Sequence, residues 1–387
     1  MRMVRMRRAF AVTGLMLLIG AALPAAGAVG AQASASPAWR VVKYFGACES
    51  IGAWSVTATG ARDAWTTGEA FRFQCDSPGL LIAHWDGRTW RELPPPRAFS
   101  GLSHDSFGTA VAALSASYSW TFVNRATVPP AETEQSFALL RSGHRWRAFR
   151  LPDGLRVTSA WVFSHSDAWA FGTIIGPQNA PKMYAEHFNG RNWRPVSAPV
   201  TPYDAAFPGP RNIWVVGRVH QPTPPRPVAL VRWTGRWQKP IPFPASITPN
   251  GATIFGSWVV PSGAHGAWVA VSDFNSSDPN AGGALLHWTG SRWQIIKVPF
   301  PTQGLGPLAR DGHGGLWIAS TTCPGCGATF YHYSAGTWSK APLSIPGLNV
   351  TAMRLIPGTK SVWASGWDLP DPDGQGDAIG AVLKYGP

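Results

Sequence analysis

The chain has 387 residues, 45% of them hydrophobic and only 14% charged, with 42 Gly, 36 Pro, 21 Trp and a formal net charge of +13. That apolar content can build a large core, which excludes intrinsic disorder over most of the length. So much glycine and proline, without a collagen period, also excludes a fold dominated by long helices and leaves an all-β protein as the expectation.

The first predicted element is an address. Arg2, Arg5, Arg7 and Arg8 precede an apolar run from Ala9 to Leu23 that gives way to Pro24 and small residues, the pattern of a secretory signal peptide. Arg7-Arg8-Ala9-Phe10 partly matches a twin-arginine signal. Cleavage is expected after Ala33, with Ala28 as the rival site, leaving one domain over residues 34–387 in a secreted or cell-surface protein. The alternative is an uncleaved membrane anchor, because the run extended to Ala31 is long enough to span. No later segment is.

Without the leader the chain keeps 29 bases and 20 acids, a net charge of +9. Lysines and arginines stand singly among other residues, which reads as a solubility charge with some attraction to anionic wall polymers. No nucleic-acid-binding motif is present. Four cysteines in an exported chain point to disulfides. Of the three possible pairings, Cys48 with Cys75 and Cys323 with Cys326 is the economical one. Cys323-Pro324-Gly325-Cys326 is also the spacing of a redox or zinc pair, but no second CxxC and no βαβ pattern accompany it.

Two signatures alternate down the rest of the chain. One is a β-rich phrase ending in Trp and often Gly: Asp63-Ala64-Trp65-Thr66-Thr67-Gly68, then phrases around Trp120, Trp169, Trp214, Trp268, Trp317 and Trp363. The other reads, at its fullest, His84-Trp85-Asp86-Gly87-Arg88-Thr89-Trp90, with variants ending at Trp146, Trp193, Trp237, Trp293 and Trp338. Steps of 55, 49, 45, 54, 49 and 46 residues separate the tryptophans of the first signature, a period that fits propeller blades of four strands. In the first unit Ser55 to Thr59 alternates as an inner strand and Asp63 to Gly68 is the second. Leu80 to Trp85 is the third and Thr89 to Leu93 the fourth, ended by Pro94, Pro95 and Pro96.

The seventh unit stops after its third strand, Ala378 to Tyr385. Ala38 to Lys43 supplies the missing fourth, with Trp39 in the place of Trp90, so that the N-terminal strand closes the ring. The expectation is therefore a seven-bladed β-propeller of four antiparallel strands per blade, and a monomer.

The repeat resembles a family of exported actinobacterial propeller proteins whose units read Ser-x-x-Asp-Ala-Trp-Ala-x-Gly followed by His-Trp-Asn-Gly-x-x-Trp. The likeness covers residues 38–387 and is most specific in units one, three and five. It implies the propeller fold and carries no established activity. A more distant similarity is to kelch and galactose-oxidase-type propellers, on Trp85, Trp90 and Leu93-Pro94, but the kelch Gly-Gly pair and any copper ligand set are absent. Asp86-x-x-x-Trp90 resembles the sialidase Asp-box, yet its Gly follows the Asp directly, so no sialidase residue is carried over.

Subtracting the repeat leaves few candidates for chemistry. Seventeen tryptophans occupy repeat positions, and His84, His187, His287 and His332 recur with them, so all read as packing residues. Trp54, Trp161, Trp258 and Trp367 break the pattern. Near the axis such rings either stack on a flat ligand such as a sugar or plug the channel. The links between second and third strands carry Glu132, Glu134, Asp273, Asp278 and an acidic run from Asp368. In that run Asp371, Asp373, Gln375 and Asp377 alternate as oxygen donors like the first half of a calcium loop. Val382 stands where the bidentate Glu should be, which leaves a solvated acidic turn as the other reading. No other cofactor is expected. No nucleophile elbow, phosphate loop or HExxH is present. The leading expectation is a secreted non-catalytic propeller that binds a glycan, a cell-wall polymer or a protein. The runner-up is an extracellular polysaccharide hydrolase or lyase using loop carboxylates.

Overall fold

A computed structural model describes residues 38–387 apart from 47–50, 71–78, 100–105, 127–133, 175–182, 221–226, 248–255, 273–282, 301–303, 322–326, 342–344 and 370–377. The described residues form seven four-stranded antiparallel sheets. Six take their strands in chain order. The first blade runs Ile51–Gly60, Asp63–Ala70, Leu80–Trp85 and Trp90–Glu92, so its inner strand is longer and its outer strand shorter than the alternation predicts. The seventh joins Asn349–Leu355, Val362–Asp368 and Ile379–Tyr385 to the N-terminal strand Trp39–Phe45. The closing ladder pairs Trp39 with Tyr385 and Phe45 with Gly380. Tyr44 adds a hydroxyl donated to Asp368 Oδ2 at 3.2 Å. The ring therefore closes as the sequence predicts, with no blade left a strand short.

The two signatures explain how the blades hold together. The core divides into seven apolar clusters, one at each seam between neighbouring blades. Each seam holds a second-strand Trp from one blade and, from the next, the Trp that ends the second signature or Trp39 in its place: Trp120 lies 5.1 Å from Trp193, Trp363 5.2 Å from Trp90, and Trp317 5.6 Å from Trp39, centroid to centroid. These edge-to-face contacts are the favourable geometry for large rings. Trp39 also stacks on Phe330 at 4.0 Å, doing at the closing seam what its counterparts do elsewhere.

The recurring histidines belong to the same frame. Third-strand His84, His187 and His332 each bond an aspartate, Asp63, Asp167 and Asp311, at 2.8, 3.0 and 2.9 Å. Each lies against a second-strand Trp ring, at 4.4, 4.6 and 4.5 Å. The fifth blade substitutes Ser262 for the aspartate, 2.8 Å from His287. The fourth substitutes Arg232, its guanidinium 4.9 Å above Trp214.

The glycine ending the first signature has its own cause. A Cβ at Gly68, Gly172, Gly217 or Gly366 would strike a carbonyl oxygen of the adjoining inner strand at 1.8, 2.1, 2.2 and 1.9 Å. Each stands opposite the residue before a β-bulge in that inner strand. The fifth blade has Val271 in place of the glycine and pairs without a bulge.

Candidate functional site

The seven inner strands surround an axial cavity of about 450 Å³. A bulge turns one extra residue out of the ladder and re-aims its side chain. The displaced residues Trp54, Thr109, Thr158, Tyr203, Pro307 and Thr351 all line this cavity. Trp258 joins them from the unbulged fifth blade, and Phe107, Glu69, Arg156, Asp204 and Arg354 complete its chemically distinctive wall.

The structure separates the four off-repeat tryptophans. Trp54 and Trp258 are half-buried on the cavity wall. Trp161 is half-buried against the seam between the third and fourth blades. Phe207 stacks on it at 6.2 Å, and the Arg354 guanidinium lies over its ring at 5.6 Å. Trp161 is therefore a covered seam ring, and Arg354, not Trp161, lines the cavity. Trp367 falls inside the second strand of the seventh blade, opposite Asn349 and Gly380, and away from the cavity.

The charged residues of the wall were not singled out by the repeat. Ser55, Ser159 and Asp204 occupy equivalent places just after the bulge. Each reaches the backbone of the next blade: Val111 N–H donates to Ser55 Oγ, Ala205 N–H to Ser159 Oγ and Val259 N–H to Asp204 Oδ2, at 3.2, 3.0 and 2.8 Å. Asp204 Oδ1 accepts from the Ser159 hydroxyl at 2.5 Å and from its own following N–H, Ala205, at 2.8 Å. Both oxygens are thus committed. Asp204 exposes surface only to the channel and is otherwise enclosed by protein, and this desolvation pushes its carboxyl above the usual range against the three donors that pull it down.

Arg354 crosses the channel from the seventh blade toward the third and fourth. Desolvation lowers its guanidinium and the Asp204 charge partly restores it, although the two make no direct ion pair. Its Nε is buried without a hydrogen-bond partner. Arg156, nearer the inner-strand starts, is held by Glu134 through a forked pair whose Nε–Oε2 arm is 3.0 Å. It also lies 5.2 Å over Phe107 and feels the charge of Glu69. Tyr203 has its hydroxyl pushed up by burial, against the opposing pull of Arg218.

Glu132, Asp273, Asp278, the calcium candidates Asp371, Asp373, Gln375 and Asp377, and the cysteines Cys48, Cys75, Cys323 and Cys326 lie outside the described residues, as does the leader. Among the described residues no group of three or more His, Cys, Asp or Glu could hold a metal ion. Asp368, where the acidic run begins, is buried and bonded to Tyr44.

No known family's sequence model matches the chain, and no curated protein matches it. Solved structures of the same shape exist. YCF48 bound to a D1 peptide is 13% identical with a TM-score of 0.56, over 91% of this chain and 95% of that one. The GH74 enzyme of Niastella koreensis is 12% identical with a TM-score of 0.56, over 88% of this chain and 55% of that one. The GH74 xyloglucanase of Xanthomonas campestris is 15% identical with a TM-score of 0.52, over 85% and 53%. The chain spans about half the length of both GH74 enzymes. At these identities the likeness establishes the fold, and the chain is a seven-bladed β-propeller of the general shape shared by a peptide-bound protein and by glycoside hydrolases.

Proposed function

We propose that this propeller is an exported, non-catalytic binding protein that takes the end of a glycan chain into the mouth of its axial channel. The observation that carries the reading is the state of two rings. Trp54 and Trp258 stand on the channel wall three blades apart, nearly opposite in the ring, and among the described residues no aromatic ring or cation lies on either, although Trp258 also packs against the seam between the fifth and sixth blades. Seam tryptophans, by contrast, have their faces covered. An indole with no ring or cation on its face, set on a concave wall, offers the stacking surface that sugars use.

The carboxylates support binding over hydrolysis. A glycosidase needs two carboxyl groups free to trade protons or attack. Beside this wall Glu134 is forked to Arg156, and on it Asp204 is saturated by three donors and Glu69 has a partner. The cavity also lies within the size range of small-ligand sites. The arginine-rich N-terminal sequence, of the kind that directs export, supports the exported part of this reading.

The test is retention of the purified protein on insoluble cell-wall polysaccharide, with Trp54→Ala and Trp258→Ala beside the unchanged chain. Trp54→Ala should melt normally and Trp258→Ala somewhat lower, since it loses packing on the seam between the fifth and sixth blades, yet each should lose roughly tenfold or more in retention, as expected for one stacked ring. No new reducing ends should form. Retention unchanged in both variants would sink the reading. Reducing ends that disappear in Asp204→Asn would favour the hydrolase instead.

A further inference from the structure

We propose that the floor of the channel is a carboxylate site built on Arg354, so that the glycan end it takes carries a uronate. The inference rests on the binding reading above and names its ligand class. Arg354 lines the same cavity as Trp54 and Trp258. It donates no hydrogen bond to the protein among the described residues, and its Nε is buried and unpartnered. A guanidinium carries five donors in a planar fork that matches a carboxylate. Leaving the buried Nε–H unmet is costly, and an entering carboxylate could take it together with a second N–H of the fork.

Two neighbours hold the fork in place without using it. The Trp161 ring lies beneath the guanidinium at 5.6 Å, itself backed by Phe207. Asp204 supplies negative charge from the fourth blade, but its oxygens are taken by Ser159, Ala205 and Val259. Asp204 therefore offsets part of the cost of burying Arg354 while leaving its N–H groups to a ligand. Arg156 is a contrast, because Glu134 consumes its fork.

The wall favours an acidic sugar over a peptide C-terminus as the source of the carboxylate. The threonines of the bulges are already spent: Thr109, Thr158 and Thr351 donate to Phe122, Phe171 and Ser365 carbonyls at 3.5, 3.3 and 3.0 Å, and Thr351 also to Ala53 at 2.7 Å. The hydroxyls of a sugar can donate to the lone pairs these oxygens keep, whereas an entering peptide would also bring carbonyl groups that they have no proton left to meet. A uronate carries its carboxylate at the ring edge, so that its faces can lie along Trp54 or Trp258 while the charge points down the axis.

The decisive measurement is calorimetric binding of digalacturonate and of its neutral dimethyl ester to the intact protein. The acid should bind about ten- to a hundredfold more tightly, the range expected for a charge-assisted pair. Arg354→Gln should remove that preference and leave binding of the ester, which depends on Trp54. Equal binding of the two sugars, with Trp54 dependence kept, would overturn the carboxylate site and spare the binding reading. Failure of both sugars to bind overturns both. A preference that survives in Arg354→Gln overturns the assignment. So does a short peptide with a free C-terminal carboxylate that outcompetes digalacturonate and loses its advantage when amidated. Should Arg354→Gln fail to fold, the comparison of acid with ester on the unchanged protein still decides the matter.

Discussion

The seams between blades and the wall of the channel are built from the same strands under opposite rules. At each of the seven seams the same residue types return: a second-strand Trp, from the next blade the Trp that ends the second signature or Trp39 in its place, and in most blades a His or a long cation over the ring. On the wall the equivalent positions diverge. The bulge residue is Trp54, Thr109, Thr158, Tyr203 or Thr351, and the residue after it is Ser55, Ala110, Ser159, Asp204 or Ala352. A seam must fill the same wedge seven times, so volume and shape are fixed by the ring. The wall faces open space and carries no such demand, so variation there costs the fold little.

The contrast breaks most visibly where the ring joins its ends. Deleting residues 34–45 removes Trp39 and Phe45 from two seams, the ladder to Ile379–Tyr385 and the Tyr44–Asp368 bond. The loss should exceed about 5 kcal/mol and unfold the ring cooperatively, because exposed strand edges propagate along a closed repeat. Thermal melting by circular dichroism checks this, and a deletion that melts like the full protein would show the closing strand to be dispensable. Next in size is Trp120→Ala. Its ring is fully buried among Phe149, Phe188 and Trp193, so the cavity left behind should cost about 3 to 5 kcal/mol in denaturant unfolding. Trp54→Ala on the wall should cost under about 1 kcal/mol, since no ring packs on it.

One residue of the third blade breaks the seam rule. Glu186 is 1% exposed, and its Oε1 has no partner. It stands opposite Ala170 on the third strand, where other blades place Ala83, Leu139, Val231, Leu286 and Leu383. Burial pushes its carboxyl from 4.5 up to about 7. Because the folded chain holds this proton more tightly than the unfolded one, the group costs nothing below about pH 4.5. Stability then falls as pH rises to about 7 and is fully reduced above it, by about 3 kcal/mol at 1.36 kcal/mol per unit. Glu186→Gln should flatten that stretch of the stability profile measured in urea between pH 4.5 and 8. Glu186→Leu should raise stability at pH 8. A variant as pH-dependent as the parent would place the titration elsewhere.

The seams could be read from sequence because their residues repeat at a fixed phase, and even the glycine that stands opposite the bulge in four blades is part of the visible signature. The wall could not be read. Bulges break the alternation of a strand at the very residues that line the channel, so Tyr203 and Thr351 look like ordinary inner-strand positions. Asp204 and Arg354 are 150 residues apart and meet only because the ring brings the fourth blade opposite the seventh. The off-repeat tryptophans were visible as exceptions, but one signal covered three situations: rings on the cavity wall at Trp54 and Trp258, a ring covered by Phe207 and Arg354 at Trp161, and a strand residue at Trp367. A charged residue on an otherwise apolar inner strand would have been the sharper cue.

The smallest effect tests whether the seam rule is energetic as well as geometric. His84 with Asp63 and His187 with Asp167 make the same bond at 2.8 and 3.0 Å, each beneath a Trp ring. The first pair is mostly buried, while about a third of each side chain is exposed in the second. If the bond locks the histidine onto its Trp, double-mutant cycles with His→Gln and Asp→Asn should give couplings of about 0.5 to 1.5 kcal/mol in both blades. The first blade should stand at the upper end, because less water competes for its partners. The two cycles should add when combined, since the pairs belong to different seams. A coupling present in the first blade and absent from the third would mean that burial holds the histidine in place, and that the aspartate of the signature merely satisfies a ring nitrogen already fixed by packing.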